Sequence, residues 1–120
     1  MATGTITLVN KPPESHTCTY NTTYIDEVDK NFYVVYGKVV NVCFVGKIKA
    51  AIPNNTNIIS GFPVYSSAPR IAPYIADNKY LNNAIHGGGA ALTSAGIMQF
   101  ELDSTYVGKW IAYIFTYIAS

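Results

Sequence analysis

The stretch from Tyr33 to Ile52 constrains this chain most. It reads Tyr-Val-Val-Tyr-Gly-Lys-Val-Val-Asn-Val-Cys-Phe-Val-Gly-Lys-Ile-Lys-Ala-Ala-Ile. β-Branched and aromatic residues dominate it, and these suit a pleated, half-buried surface. Gly37-Lys38 divides two such runs, and a two-residue loop with Gly first suits a tight hairpin turn. After the turn, Val40, Val42, Phe44, Gly46, Ile48, Ala50 and Ile52 fall on one face, and Asn41, Cys43, Val45, Lys47 and Lys49 on the other. One face is wholly apolar and the other mixed, which is the alternation of a strand with one buried side. A helix would scatter the same residues around its axis. Such a strand needs other strands to cover it, and the rest of the chain must supply them.

Thr5–Val9 alternates and reads as a short strand after the Met1–Gly4 start, and Pro12-Pro13 places residues 1–15 in an N-terminal arm or edge strand. Thr17–Ile25, rich in Thr and Tyr, reads as a strand with Asn21 marking a bend. Asp26–Asn31 and Pro53–Asn57 are polar and read as turn and loop. A calcium loop at Asp26–Asn31 is set aside, because the EF-hand spacing and glycine are missing. Val64–Ala72 is irregular, Pro73–Ala76 extends it, and Asp77–His86 is Asn-rich and polar. Gly87-Gly88-Gly89 reads as a flexible joint that permits close backbone approach. Ala90–Thr93 and Ile97–Leu102 form a second hairpin around Ser94-Ala95-Gly96, and three glycines in a row exclude a helix there.

Tyr106–Ala119 is the last strand. Its two faces, Trp110/Ala112/Ile114/Thr116/Ile118 and Ile111/Tyr113/Phe115/Tyr117/Ala119, are both largely apolar, so both should be covered. Tyr113, Phe115 and Tyr117 suit a subunit contact, where large aromatics contribute most. The alternative is a central strand buried within one sandwich. The sum is an all-β chain of about eight or nine short strands, a β-sandwich or jelly roll in a single domain.

Only 12% of the 120 residues are charged while 49% are hydrophobic, and the net charge is +1. That balance gives no electrostatic case for nucleic acid, and it favours surface hidden between subunits over a bare monomer. Cys18 and Cys43 are too few for a disulfide framework and read as buried free thiols, with a cross-strand pair as the alternative. No basic region followed by an apolar core opens the chain, so no secretion signal is expected and the sequons at Asn21 and Asn54 carry little weight. No membrane insertion is expected either, because Trp110–Ala119 is far shorter than the ~20 apolar residues a spanning helix needs.

Three segments carry a resemblance. Tyr36-Gly37-Lys38-Val39-Val40-Asn41-Val42 resembles the Gly-x-Val-Val-x-Val strand start of distal domains in bacteriophage tail-fibre and baseplate receptor-binding proteins. Ile58-Ile59-Ser60-Gly61-Phe62-Pro63 is similar to the x-Gly-Leu-Pro segment that follows in them. Ala91–Ile97, Gly108-Lys109-Trp110 and Phe115–Ile118 resemble their closing hairpin and last strand. The resemblance spans Thr17 to Ser120, and the Asn-rich Asp77–His86 segment departs from it. It implies a compact head that assembles as a homotrimer on a virion, in some members binding host cell-surface saccharide and in others only trimerising a fibre end.

No constellation points to catalysis. His86-Gly87-Gly88-Gly89 matches the oxyanion-hole tetrapeptide of some esterases, but Leu92-Thr93-Ser94-Ala95-Gly96 lacks the first glycine of a nucleophile elbow. His16 and His86 stand at metal-ligand spacing from no Cys or carboxylate, so no metal or other cofactor is expected. Glu101 and Asp103 share a strand end without an acid–base partner and read as a solvated edge. Tyr65, Tyr74, Asp77, Tyr80, Asn82 and Asn83 fall in the least regular part of the chain, and they are the candidate saccharide contacts: sugar rings stack on aromatic faces, while Asn and Asp bond hydroxyls. The competing reading packs these tyrosines into a core or interface with their hydroxyls at the rim. Two functional alternatives accompany the virion reading: a trimerisation module without its own ligand, and a monomeric carbohydrate-binding module.

Overall fold

A computed structural model describes residues 12–87 and 89–120. The expected strand Thr5–Val9 lies outside the described residues. The described chain holds ten strands: β1 (Glu14–His16), β2 (Thr19–Tyr20), β3 (Ile25–Tyr36), β4 (Val39–Ile48), β5 (Ile52–Ser60), β6 (Tyr74–Ala76), β7 (Ile85–His86), β8 (Gly89–Leu92), β9 (Ile97–Leu102) and β10 (Trp110–Ile118). A 3-10 turn at Ser104–Tyr106 precedes β10, and there is no α-helix among the described residues. Two antiparallel sheets, in the orders β1-β3-β4-β10-β6-β7 and β2-β5-β9-β8, pack face to face as a β-sandwich.

The hairpin expected from the sequence is β3–β4. Gly37 sits at its tip with φ +62°, a left-handed conformation that a side chain would strain. Val40, Val42, Phe44, Gly46 and Ile48 are buried, as their alternation requires. β10 lies on the other side of β4 in unbroken register from Trp110↔Lys47 to Ile118↔Val39. The second hairpin is β8–β9, closed through Gly96.

Two polar segments depart from expectation. Asp26–Asn31 is not a turn but part of β3, accommodated by register shifts on either side of Val28. Asn31 fits because its carboxamide mimics a strand: its Oδ1 accepts from the Cys18 N–H at 3.0 Å and its Nδ2 donates to the Cys18 carbonyl at 2.8 Å. Pro53–Asn57 is likewise strand, inside β5, with an irregular register between Ile52 and Thr56 and Asn55 at φ +59°. The strand expected over Thr17–Ile25 shrinks to β2, because Asn21 turns the chain by accepting from the Thr23 N–H at 3.0 Å.

The largest correction concerns the last strand. Tyr113 and Tyr117 are not a subunit surface: they are 0% and 4% exposed inside one chain, and Phe115 is half-buried beside them. Tyr113 lies 6.1 Å from Phe44 of its own sheet and meets Phe100 of the facing sheet edge-on at 5.5 Å. The Tyr117 hydroxyl donates to the Pro63 carbonyl at 2.7 Å. The reason is dimensional. Sheets in a sandwich stand about 10 Å apart, and long aromatic rings fill that gap. The aliphatic face of β10 is left outward, with Ile114 and Ile118 about half exposed. Cys18 is buried and Cys43 half-buried, both free thiols.

Candidate functional site

The candidate site grows from the end of the six-stranded sheet. β6 pairs with the start of β10, Ala76 opposite Trp110, and the chain then leaves the sheet for residues 77–84. Asn78 organises this loop. Its Oδ1 accepts from the Tyr80 and Asn82 N–H groups at 3.0 and 3.4 Å, and its carbonyl accepts from the Leu81 N–H at 3.0 Å. The Asp77 N–H closes the loop on the Asn82 carbonyl at 3.0 Å. This is Asx-turn chemistry, in which a short amide side chain replaces a backbone partner.

Leu81 and Asn83 adopt φ +63° and +55°. Asn tolerates that region, whereas a leucine there costs about 1–2 kcal/mol. The offset is visible on the outer sheet face, where Leu81 and Tyr74 pack over a small cluster of Val45, Trp110 and Ala112. Tyr74 in turn lies against His86, the rings tilted by 37° and their centres 4.3 Å apart.

Asp77 is clasped from two sides, by Lys109 Nζ donating at 2.7 Å and Asn83 Nδ2 donating at 2.9 Å. The Lys109 hydrogen bond, then that of Asn83, then the Lys109 charge hold the Asp77 carboxyl below the usual carboxylate range. A carboxylate so engaged is a poor proton acceptor at neutral pH. What the loop holds out is different: Tyr80 is 76% exposed, with Lys79 Nζ 5.4 Å from its ring centre. Lys79 also faces Asp29 of β3 at 4.0 Å. Asn82 is exposed, and the loop's own bonds use its backbone rather than its carboxamide. An open aromatic face beside a free amide and an ammonium can stack on and hydrogen-bond a hydroxylated ring.

Five of the six candidate contacts are therefore gathered at one end: Tyr74, Asp77, Tyr80, Asn82 and Asn83. Asp77 and Asn83 hold the loop's shape, while Tyr80 and Asn82 face solvent. Tyr65 is elsewhere. It bridges to Ala119 at the far end of β10, whereas Tyr74 sits opposite Ala112, so about 23 Å of strand separates them. The sequence reading missed Lys109, Asn78 and Leu81. Asn78 had a local signal, an amide two residues before the loop tip, but Lys109 reaches Asp77 only because β6 pairs with β10.

The site projects rather than encloses. A groove of about 440 Å³ between residues 68–72 and β8 contains none of the six. Among the described residues no three His, Cys, Asp or Glu side chains gather as metal ligands, and no helix is long and apolar enough to cross a membrane. No family model, curated protein or solved structure matches the chain.

Proposed function

We propose that this β-sandwich is a non-catalytic saccharide-binding domain, displayed on a phage tail fibre or baseplate, whose contact surface is the Asp77–Asn83 loop. The observation that carries the reading is Tyr80: a large ring 76% exposed at the tip of a loop fixed by its own hydrogen bonds and by Lys109. An exposed aromatic on a prearranged backbone loses little entropy on binding. The virion setting is supported by the three motif segments, while the homotrimer that came with them has no interface at Tyr113, Phe115 and Tyr117. Glycan-array screening followed by NMR titration tests the binding. The full chain should bind at least one host-surface saccharide with chemical shifts moving at Tyr80 and Asn82. Tyr80→Ala should weaken that binding at least tenfold at unchanged melting temperature. Binding that is unaltered in Tyr80→Ala, or no binding to any glycan, would sink the reading.

A second reading, an assembly module with no ligand of its own, is favoured by a separate observation: among the described residues, Tyr36, Ile114 and Ile118 on the outer face of the six-stranded sheet are about half exposed.

A further inference from the structure

The four-stranded sheet carries a groove on its outer face, away from the Asp77–Asn83 loop of the other sheet. β5 makes it. Between the pairs Ile52↔Leu102 and Thr56↔Phe100, three residues of β5, Pro53, Asn54 and Asn55, stand against one of β9, Glu101. Such a surplus bends a strand away from its neighbour and re-aims its side chains. The bulge is held in one shape. Thr56 Oγ1 donates to the Pro53 carbonyl at 2.6 Å, and Asn55 takes the left-handed backbone, φ +59°, that asparagine tolerates. On the other side of β9, β8 sets Gly89 opposite Glu101 and Ala91 opposite Gln99, so no bulky residue fills that flank. The space left is about 270 Å³, lined by Asn54, Asn55, Ala91, Gln99 and Glu101.

We propose that this groove is a second ligand site, for a single sugar ring that carries a protonated amine. Glu101 supplies the charge. Among the described residues its carboxylate forms no ion pair, and none of the residues lining the groove is a cation. An acceptor-only group in that setting is matched by a ligand ammonium, in a charge-assisted hydrogen bond. Gln99 is the fixed point. It is half-buried, and its Nε2 donates to Asn57 Oδ1 at 2.9 Å, which holds the carboxamide in place and leaves its oxygen and one N–H for a ligand. Asn54 and Asn55 are exposed on the bulge, and each carries donors and an acceptor for ring hydroxyls. The Ala91 methyl, also exposed, seats the C–H face of a ring. The size agrees: about 270 Å³ lies just below the ~300 Å³ at which sites for drug-sized ligands begin, which suits one ring. A linear amine would use Glu101 alone, and a neutral sugar would use the amides and leave the carboxylate without a cation. An amino sugar uses both.

NMR titration of the full chain with glucosamine, N-acetylglucosamine, glucose and methylammonium tests this separately from the Tyr80 loop. Below neutral pH, glucosamine should move the backbone signals of Ala91, Gln99 and Glu101. It should bind there about tenfold or more tighter than glucose or N-acetylglucosamine, since a hydrogen bond between charged groups is the stronger kind. Glu101→Gln keeps the shape and removes the charge, so it should erase that preference with the melting temperature unchanged. Ala91→Leu fills the groove and should weaken glucosamine with Glu101 intact. In Tyr80→Ala the same three signals should respond as in the parent chain. No movement at Ala91, Gln99 and Glu101 overturns the proposal, and saccharide shifts confined to Tyr80 and Asn82 would leave the loop reading standing without it. A preference that survives Glu101→Gln overturns it too. So do equal shifts with methylammonium, because the carboxylate would then be pairing with any cation.

Discussion

Replacing Tyr113 with phenylalanine should stabilise this protein. The ring is wholly buried between Phe44 and Phe100, and among the described residues its hydroxyl has no hydrogen-bond partner. Water bonds that hydroxyl in the unfolded chain, so folding strips it without replacement, at roughly 1–3 kcal/mol. The same desolvation pushes the Tyr113 phenol well above the ordinary tyrosine range. Tyr113→Phe removes the stranded O–H and leaves a void on the order of 10 Å³, which at about 24 cal/mol per Å³ takes back only about 0.2 kcal/mol. The net gain is about 1–3 kcal/mol, and each kcal/mol should raise Tm by roughly 3–6 °C at this chain length. The control lies four residues on. The Tyr117 hydroxyl does have an acceptor, the Pro63 carbonyl at 2.7 Å, so Tyr117→Phe should destabilise by about 1 kcal/mol. Urea unfolding followed by the fluorescence of the single tryptophan measures both, with unchanged denaturant slope as the sign that only stability moved. A lower midpoint for Tyr113→Phe would mean that the hydroxyl is bonded in solution and that the reasoning is wrong.

Three further outcomes follow from named contacts. Burial pushes the Cys18 thiol up to about 12 from 9.0, and Tyr113 rises for the same reason, so both stay neutral in the fold and ionise more easily unfolded. Their contribution is whole below about pH 9 and is lost as pH climbs through the folded values, so melting temperatures recorded from neutral pH upward should fall above about pH 9, and a flat profile there would refute the assignment. Gly96→Ala should destabilise by more than the roughly 1–2 kcal/mol that a left-handed backbone alone costs, because Gly96 sits at φ +74° and a methyl group there would strike the Phe62 carbonyl; an unfolding midpoint equal to the parent's would contradict the geometry. Lys109→Met should let the Asp77 carboxyl climb back toward the usual carboxylate range in an NMR titration, and an unmoved Asp77 would show that Lys109 does not hold it.

The β3–β4 hairpin was legible in the sequence because its period and its glycine agree, and Gly37 does take the left-handed turn. The alternation of β10 was legible as well, but not which face turns inward. Both faces are apolar, and the choice is made by the gap between sheets, which only the fold defines. Asp26–Asn31 and Pro53–Asn57 misled for the opposite reason. Their polarity is that of strand segments facing water, and the pairing that makes them strands comes from β4 and β9. Tyr65 was grouped with Tyr74 because they are close in sequence. Between them the chain crosses from Ala119 in one sheet to a bridge between Ile71 and Ala90 in the other, which no local pattern announces.

The shape of the site limits what a single loop can do. A projecting loop cannot surround a sugar, so Tyr80 and Asn82 would meet a ring from one side only and bury little of it. A single such loop would hold poorly to a surface. Copies displayed together, as the proposed fibre setting implies, would change the arithmetic, because each further contact becomes intramolecular, at an effective concentration set by the span between the loops. Chains displayed at high density on a bead should therefore be retained on a densely glycosylated surface far longer than the free chain, and Tyr80→Ala should abolish that difference. Equal retention of free and displayed chains would mean that the contact is not made by one small loop per chain.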